Sequence, residues 1–145
     1  MSSLSGYNYQ NGVVVEASLM LNTINMYTLD GSFEKTVCIG KKVDNIDDVY
    51  RSGFRGMKDT FICLRMYEDF FAVMYSGGRM FGLGPSGTAR PKIYLFDWSG
   101  SPISEIVLPA RAHCFDFDMK NNMLYALDRE DETVYAYNMV HYFFI

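Results

Sequence analysis

Short apolar runs, alternating or continuous and each closed by glycine, asparagine, aspartate or serine, follow one another along the chain. None has the spacing of about 3.6 residues that marks a long amphipathic helix, so the pattern predicts an all-β protein. The runs also repeat. INMYTLDGSFEKTVCIG (24–40) aligns without a gap on IYLFDWSGSPISEIVLP (93–109), placing Ile24 on Ile93, Tyr27 on Phe96, Gly31 on Gly100 and Val37 on Ile106. Each copy reads as strand, tight turn and strand, with glycine at the position that needs positive φ. VYAYNM (134–139) opens a third copy.

The residues ahead of each copy repeat as well: YNYQNGVVVEA (7–17), LRMYEDFFAVM (64–74) and FDMKNNMLYAL (117–127) are each strand, polar turn, strand. One unit is therefore four antiparallel strands, and the step from Ile93 to Val134, 41 residues, is the period of a propeller blade. The expected fold is a partial β-propeller forming a single domain of about three four-stranded antiparallel blades. Blade one covers about 1–46, blade two about 47–110 and blade three about 111–145, the last incomplete. Strands are expected at 60–66, 70–75, 92–97 and 103–108 in blade two, and at 114–118, 123–127 and 134–138 in blade three. No fourth strand is evident after these, and the tail 139–145 is left unassigned.

The stretch from 93 to 109, followed by AHCFDFDMKNNMLYALDREDETVYAYN (112–138), resembles the TolB-like six-bladed propellers of Bacteroidetes, relatives in shape of NHL-type propellers. The likeness lies in a hydrophobic strand, an Asp-x-x-Gly turn, an outer strand, and a strand ending in Asp before a polar turn and Leu-Tyr-Ala. It covers nearly the whole chain and is most specific over 92–138. It implies the C-terminal half of such a propeller and, from full-length relatives, a periplasmic protein or cell-surface lipoprotein. It brings no catalytic motif.

Composition narrows the function classes. Apolar residues make up 49% and aromatics 16%, enough to fill a core, while a net charge of −4 offers no basic surplus for nucleic acid. No stretch is apolar and long enough for a membrane span, and the first residues lack the pattern of a signal peptide, so the chain itself assigns no compartment. Cys38, Cys63 and Cys114 lack zinc-site spacing and read as buried thiols.

Two long segments, 41–59 and 76–91, fall on the same end of the predicted blades, opposite the short turns. Long connections on a rigid scaffold are where binding sites usually sit. The candidate ligand or partner contacts are Tyr50, Arg51, Phe54, Arg55, Arg79, Phe81 and Arg90, aromatics and arginines of the kind that dominate interfaces. GLGPSG (82–87) matches the dinucleotide fingerprint only formally, since Pro91 and a strand follow where a helix is required. Asp116, Asp118 and Asp128 are read as acceptors of turn hydrogen bonds rather than metal ligands, and DREDET (128–133) as a solvated loop. His113 and Cys114 are neighbours on a strand and point to opposite faces, so they form no nucleophilic pair. No catalytic residue, metal or cofactor is assigned.

Two functions stay open beside a third possibility, a fragment without an independent role. One is a non-enzymatic interaction or ligand-binding module for an unidentified protein or small molecule. The other is a propeller hydrolase or lyase drawing on residues such as Asp116, His113 or Arg55. Three blades leave two flanks, both expected to be apolar, so a homodimer or a missing N-terminal propeller half is the expected partner.

Overall fold

The computed structural model describes residues 3–40, 47, 51, 58–79 and 90–140. They hold eleven strands in three antiparallel sheets, each a simple meander in which every strand pairs with the next in sequence. The first sheet is β1 (Ser3–Asn8), β2 (Val13–Ser18), β3 (Thr23–Thr28) and β4 (Glu34–Cys38). The second is β5 (Lys58–Met66), β6 (Phe70–Arg79), β7 (Lys92–Asp97) and β8 (Pro102–Val107). The third, with three strands, is β9 (Cys114–Asp118), β10 (Met123–Asp128) and β11 (Thr133–Asn138).

The second sheet is the middle layer, and β6 shows how the sequence makes it so. In a strand, neighbouring side chains face opposite ways, and Phe70 to Met74 are all apolar and all buried. Phe71 and Val73 join Val13, Val15, Ala17, Ile24 and Met26 in a core against the first sheet. Phe70, Ala72 and Met74 join Phe115, Phe117, Leu124 and Ala126 in a second core against the third. Uninterrupted apolar runs are the mark of a strand covered on both faces. First strands lie next to each other in series, with β5 touching β1 on one side and β9 on the other. Gly6 permits the closest of these approaches: a Cβ there would lie 2.8 Å from Met66 Cγ and Sδ.

Turn chemistry accounts for the repeat. Gly31 and Gly100 have φ of 74° and 79°, and their N–H groups donate to Thr28 O and Asp97 O. The second turn closes one residue sooner, Asp97 N to Ser101 O against Thr28 N to Phe33 O. A register shift between Leu95 and Phe96 compensates, so Ile24 pairs with Val37 just as Ile93 pairs with Ile106. A second turn recurs after β1, β9 and β10. Asn8, Asp118 and Asp128 each accept a backbone N–H two or three residues on, at 2.9, 3.1 and 3.0 Å, and the fourth residue after each is left-handed: Gly12, Asn122 and Glu132, at φ 66°, 54° and 51°.

Two expectations are corrected. β5 begins at Lys58 and β6 runs to Arg79, with Lys58 opposite Arg79, so both long segments are shorter than their turn-like residues imply. Gly77 and Gly78 sit inside a strand because β5 pairs with it, and register shifts flanking Phe61 absorb the mismatch. The first sheet's outer face is predominantly polar, carrying Ser3, Ser5, Glu16, Asn25, Glu34 and Thr36 beside Tyr7, Val14 and Tyr27, whereas an apolar flank was expected. The third sheet's outer face is more apolar, with Met123, Tyr125, Leu127, Val134 and Ala136 beside Asp116, Asp118 and Asn138; Val134 is 62% exposed. Among the described residues, β11 has one strand neighbour and the third sheet no fourth strand.

Candidate functional site

Antiparallel order puts the β4–β5, β6–β7 and β8–β9 connections at one end of the sheets, together with the short β2–β3 and β10–β11 turns, and the turns that follow β1, β3, β5, β7 and β9 at the other. At the first end the backbone pairs Lys58 with Arg79 and Tyr75 with Lys92, which draws the ends of both long segments together. Arg51 and Arg90 are exposed. Tyr50, Phe54, Arg55, Phe81 and the glycine-rich 82–87 stretch lie outside the described residues, as does the side chain of Arg79.

The same end carries a polar network that periodicity alone does not reveal. Arg111, in the β8–β9 connection, donates from Nε to Asp128 Oδ2 at 2.9 Å, and its guanidinium meets Glu130 Oε2 at 2.7 Å and Asp131 Oδ2 at 3.2 Å. His113 N–H donates to Leu127 O, and the His113 ring nitrogen Nδ1 accepts Arg129 N–H at 3.1 Å while lying 3.4 Å from Asp128 Oδ1. The run 128–133 is therefore a turn whose residues 129–132 are exposed to solvent, as expected, and which is anchored through Asp128 and Arg111. Asp128 is 2% exposed. Burial works to raise its carboxyl, but the hydrogen bonds from Arg111 and Glu130 N–H and the guanidinium charge outweigh this and hold it below the usual carboxylate range.

The other two aspartates are also engaged. Asp116 Oδ1 accepts Tyr67 O–H at 2.7 Å and Phe117 N–H at 2.9 Å, tying the end of β5 to β9. Burial, and then the bond donated to Asp116, push the Tyr67 hydroxyl well above the ordinary phenol value. Asp118 accepts Asn121 side-chain and backbone N–H groups, which hold its carboxyl low. At the short-turn end, which Asp118 shares, Asp30 is drawn down to about 2 by the backbone N–H and then the hydroxyl of Ser32, and Asp97 is lowered first by the Ser99 hydroxyl. His113 and Asp116, both named for a hydrolytic site, go to different partners and do not meet. Among the described residues no three His, Cys, Asp or Glu side chains are grouped to hold a metal ion. The three cysteines are free thiols. Cys63 is buried and has its thiol raised chiefly by that burial, while Cys38 and Cys114 are half-buried rather than fully so.

One groove runs along the outer strands β8 and β11. It lies between the second and third sheets, holds about 370 Å³, and is lined by Ile106, Leu108, Leu124, Ala136, Tyr137 and Met139, among others. Tyr137 is its one ionisable side chain among the described residues, raised by burial and by neighbouring Tyr135. No described helix is long and apolar enough to cross a membrane. In comparisons with known proteins, the chain matches no family model and no curated protein.

Acid should act on this structure through its lowered carboxylates. A group that binds its proton more weakly folded than unfolded contributes stability above the unfolded value, 3.8 for Asp128, and loses it as the pH falls through the folded value. Thermal unfolding followed by circular dichroism should show a melting temperature that is level above about pH 5 and drops below about pH 4. Asp128→Asn should lower the neutral-pH melting temperature and make the acid drop shallower. An unchanged acid profile would remove Asp128 from the set of titrating groups that matter.

Proposed function

We propose that the three sheets are consecutive blades of a β-propeller, of the TolB-like kind the sequence resembles, and that the chain works as a non-enzymatic binding module. The blade reading is supported by three successive meanders whose first strands adjoin in series, and by the pairing of Ile24 with Val37 and Ile93 with Ile106 at equivalent positions. A predominantly polar first face and a more apolar third face orient the stack. Further blades, from this protein or a second copy, stack on Tyr125, Leu127 and Val134.

Binding rather than catalysis is supported by one observation: Asp116, Asp118, Asp128 and His113 are spent on turns and cross-sheet ties, and the groove gathers no acid–base pair. The binding end is the one that carries the long connections, with Arg51 and Arg90 as its described contacts and Tyr50, Phe54, Arg55, Arg79 and Phe81 completing the set.

Photo-crosslinking residues placed singly at positions 51 and 90 should give discrete adducts with a partner, while the same residues at positions 9 and 29, on the short-turn end, should not. Adducts from the short-turn end alone would reverse the assignment. Turnover of model esters or glycosides that is abolished by Asp116→Asn or His113→Asn would replace the binding reading with the hydrolase one.

A further inference from the structure

The groove borders the edge of the third sheet where, among the described residues, a fourth strand is lacking, and the repeat says which one. The first and second sheets have four strands, and their outermost members are β4 and β8. The third has three, and with β5 against β9, β8 overhangs the third sheet by one strand. Ile106 and Leu108, on the underside of that overhang, face the groove, and Tyr137 and Met139 form its other wall. β11 is the sequence counterpart of β7: Ile93, Tyr94, Leu95, Phe96 and Asp97 align on Val134, Tyr135, Ala136, Tyr137 and Asn138. β7 pairs antiparallel with β8 on the side where β11 has no described neighbour.

Edge chemistry separates β11 from the other two outer strands. β4 carries Glu34 and Lys35, and β8 carries Pro102 together with Glu105 paired to Lys92 at 3.0 Å; proline and charge both discourage strand addition. β11, TVYAYN, has neither, and its β-branched and aromatic residues favour pairing. A second copy cannot pair its own β11 here. Antiparallel neighbours related by a twofold keep the same face up, and the two overhanging β8 strands would then claim the same space. The overhang admits a lone extended segment.

We propose that the edge of β11 with no described neighbour and the groove beneath β8 form a strand-addition site, which takes an uncharged or weakly charged extended segment of another polypeptide, antiparallel to β11. Main-chain hydrogen bonds to β11 hold it, and every second side chain, β-branched or aliphatic like Val37 and Ile106 at the equivalent positions, enters the groove. The site is a property of strand order and stands whether or not the sheets belong to a ring.

The test uses the full chain and a synthetic peptide copying residues 99–109, the turn and outer strand of the second sheet. Isothermal titration should show one peptide bound per chain, and a scrambled peptide of the same composition should fail to bind. Amide hydrogen exchange should slow at alternate positions of 133–138 by about tenfold or more at saturation, with 3–8 and 34–38 unchanged. Tyr137→Glu, which places a charge on the groove wall, should weaken the peptide by at least about tenfold. Equal binding of the scrambled peptide, protection appearing on β4 or β8 instead, or no binding would each overturn the site. So would β11 amides already protected before peptide is added, since the edge would then be covered by the chain itself. The exchange measurement on the unaltered chain decides the matter even where Tyr137→Glu fails to fold.

Discussion

Phe71→Ala is expected to lower the unfolding free energy by about 3–5 kcal/mol, the range for emptying a large aromatic site in a core. Phe71 is fully buried, stacked on Phe96 with ring centroids 5.4 Å apart and 5.6 Å from Trp98, whose indole N–H is fixed by Glu68 O at 2.8 Å. These neighbours are held on their own strands and turns, so the cavity cannot readily collapse. A loss of that size is a large share of the roughly 5–15 kcal/mol available to an ordinary domain. Urea denaturation measures it, and hydrogen exchange locates it. Amides of β1–β4 should lose more protection than those of β9–β11, because Phe71 faces the first sheet; Met74→Ala should reverse the order. Equal loosening on both sides would mean that the two cores behave as one.

Gly6→Val is the second large effect, expected at about 1–3 kcal/mol from overpacking. Gly6 faces inward opposite Val15, where the first strands of two sheets approach most closely. The atoms nearest an alanine Cβ there are Cγ, Sδ and Cε of Met66, a flexible side chain that can shift, so Gly6→Ala should cost less. Valine adds two methyl groups on a stiff β-branched stem and forces β1 away from β5. Met66→Ala in the Gly6→Val background should recover part of the loss in a double-mutant cycle. Additive losses would show that Gly6 acts through its backbone and not through the space it leaves.

The hairpins were legible from sequence because most of their information is local: Asp30-Gly31 and Ser99-Gly100 each place a glycine of positive φ between two apolar runs. The gapless alignment even held across a loop-length difference, since the register shift near Phe96 restores the residue the shorter turn lacks. Reading failed where pairing overrules local chemistry. Ser-Gly-Gly at 76–78 looks like a turn, yet it runs on as strand beside β5. The predominantly polar outer face of the first sheet was readable in SLSGYN and TINMYT once alternation is followed through both strands together. Arg111 was not readable, because its three carboxylate partners lie 17 to 20 positions away across a sheet boundary, and nothing local to PARAH marks it as an anchor. At the long-connection end, residue types alone singled out the candidate contacts, and of these Arg51 and Arg90 are placed on the surface.

The middle position of the second sheet also sets a timetable for synthesis. Each meander can form as soon as its own residues leave the ribosome, since every strand pairs with its sequence neighbour. The first sheet's inner face is different, because Val15 and Ala17 are covered by Phe71 and Val73, which emerge more than 50 residues later. Phe71 follows Cys38, the last residue of the first sheet, by 33 residues, so at about 5–20 residues per second a finished first sheet waits roughly 2 to 7 s with its apolar side uncovered. During that interval the nascent chain presents a surface suited to a chaperone, and slow codons between the first two sheets would lengthen the exposure rather than aid folding.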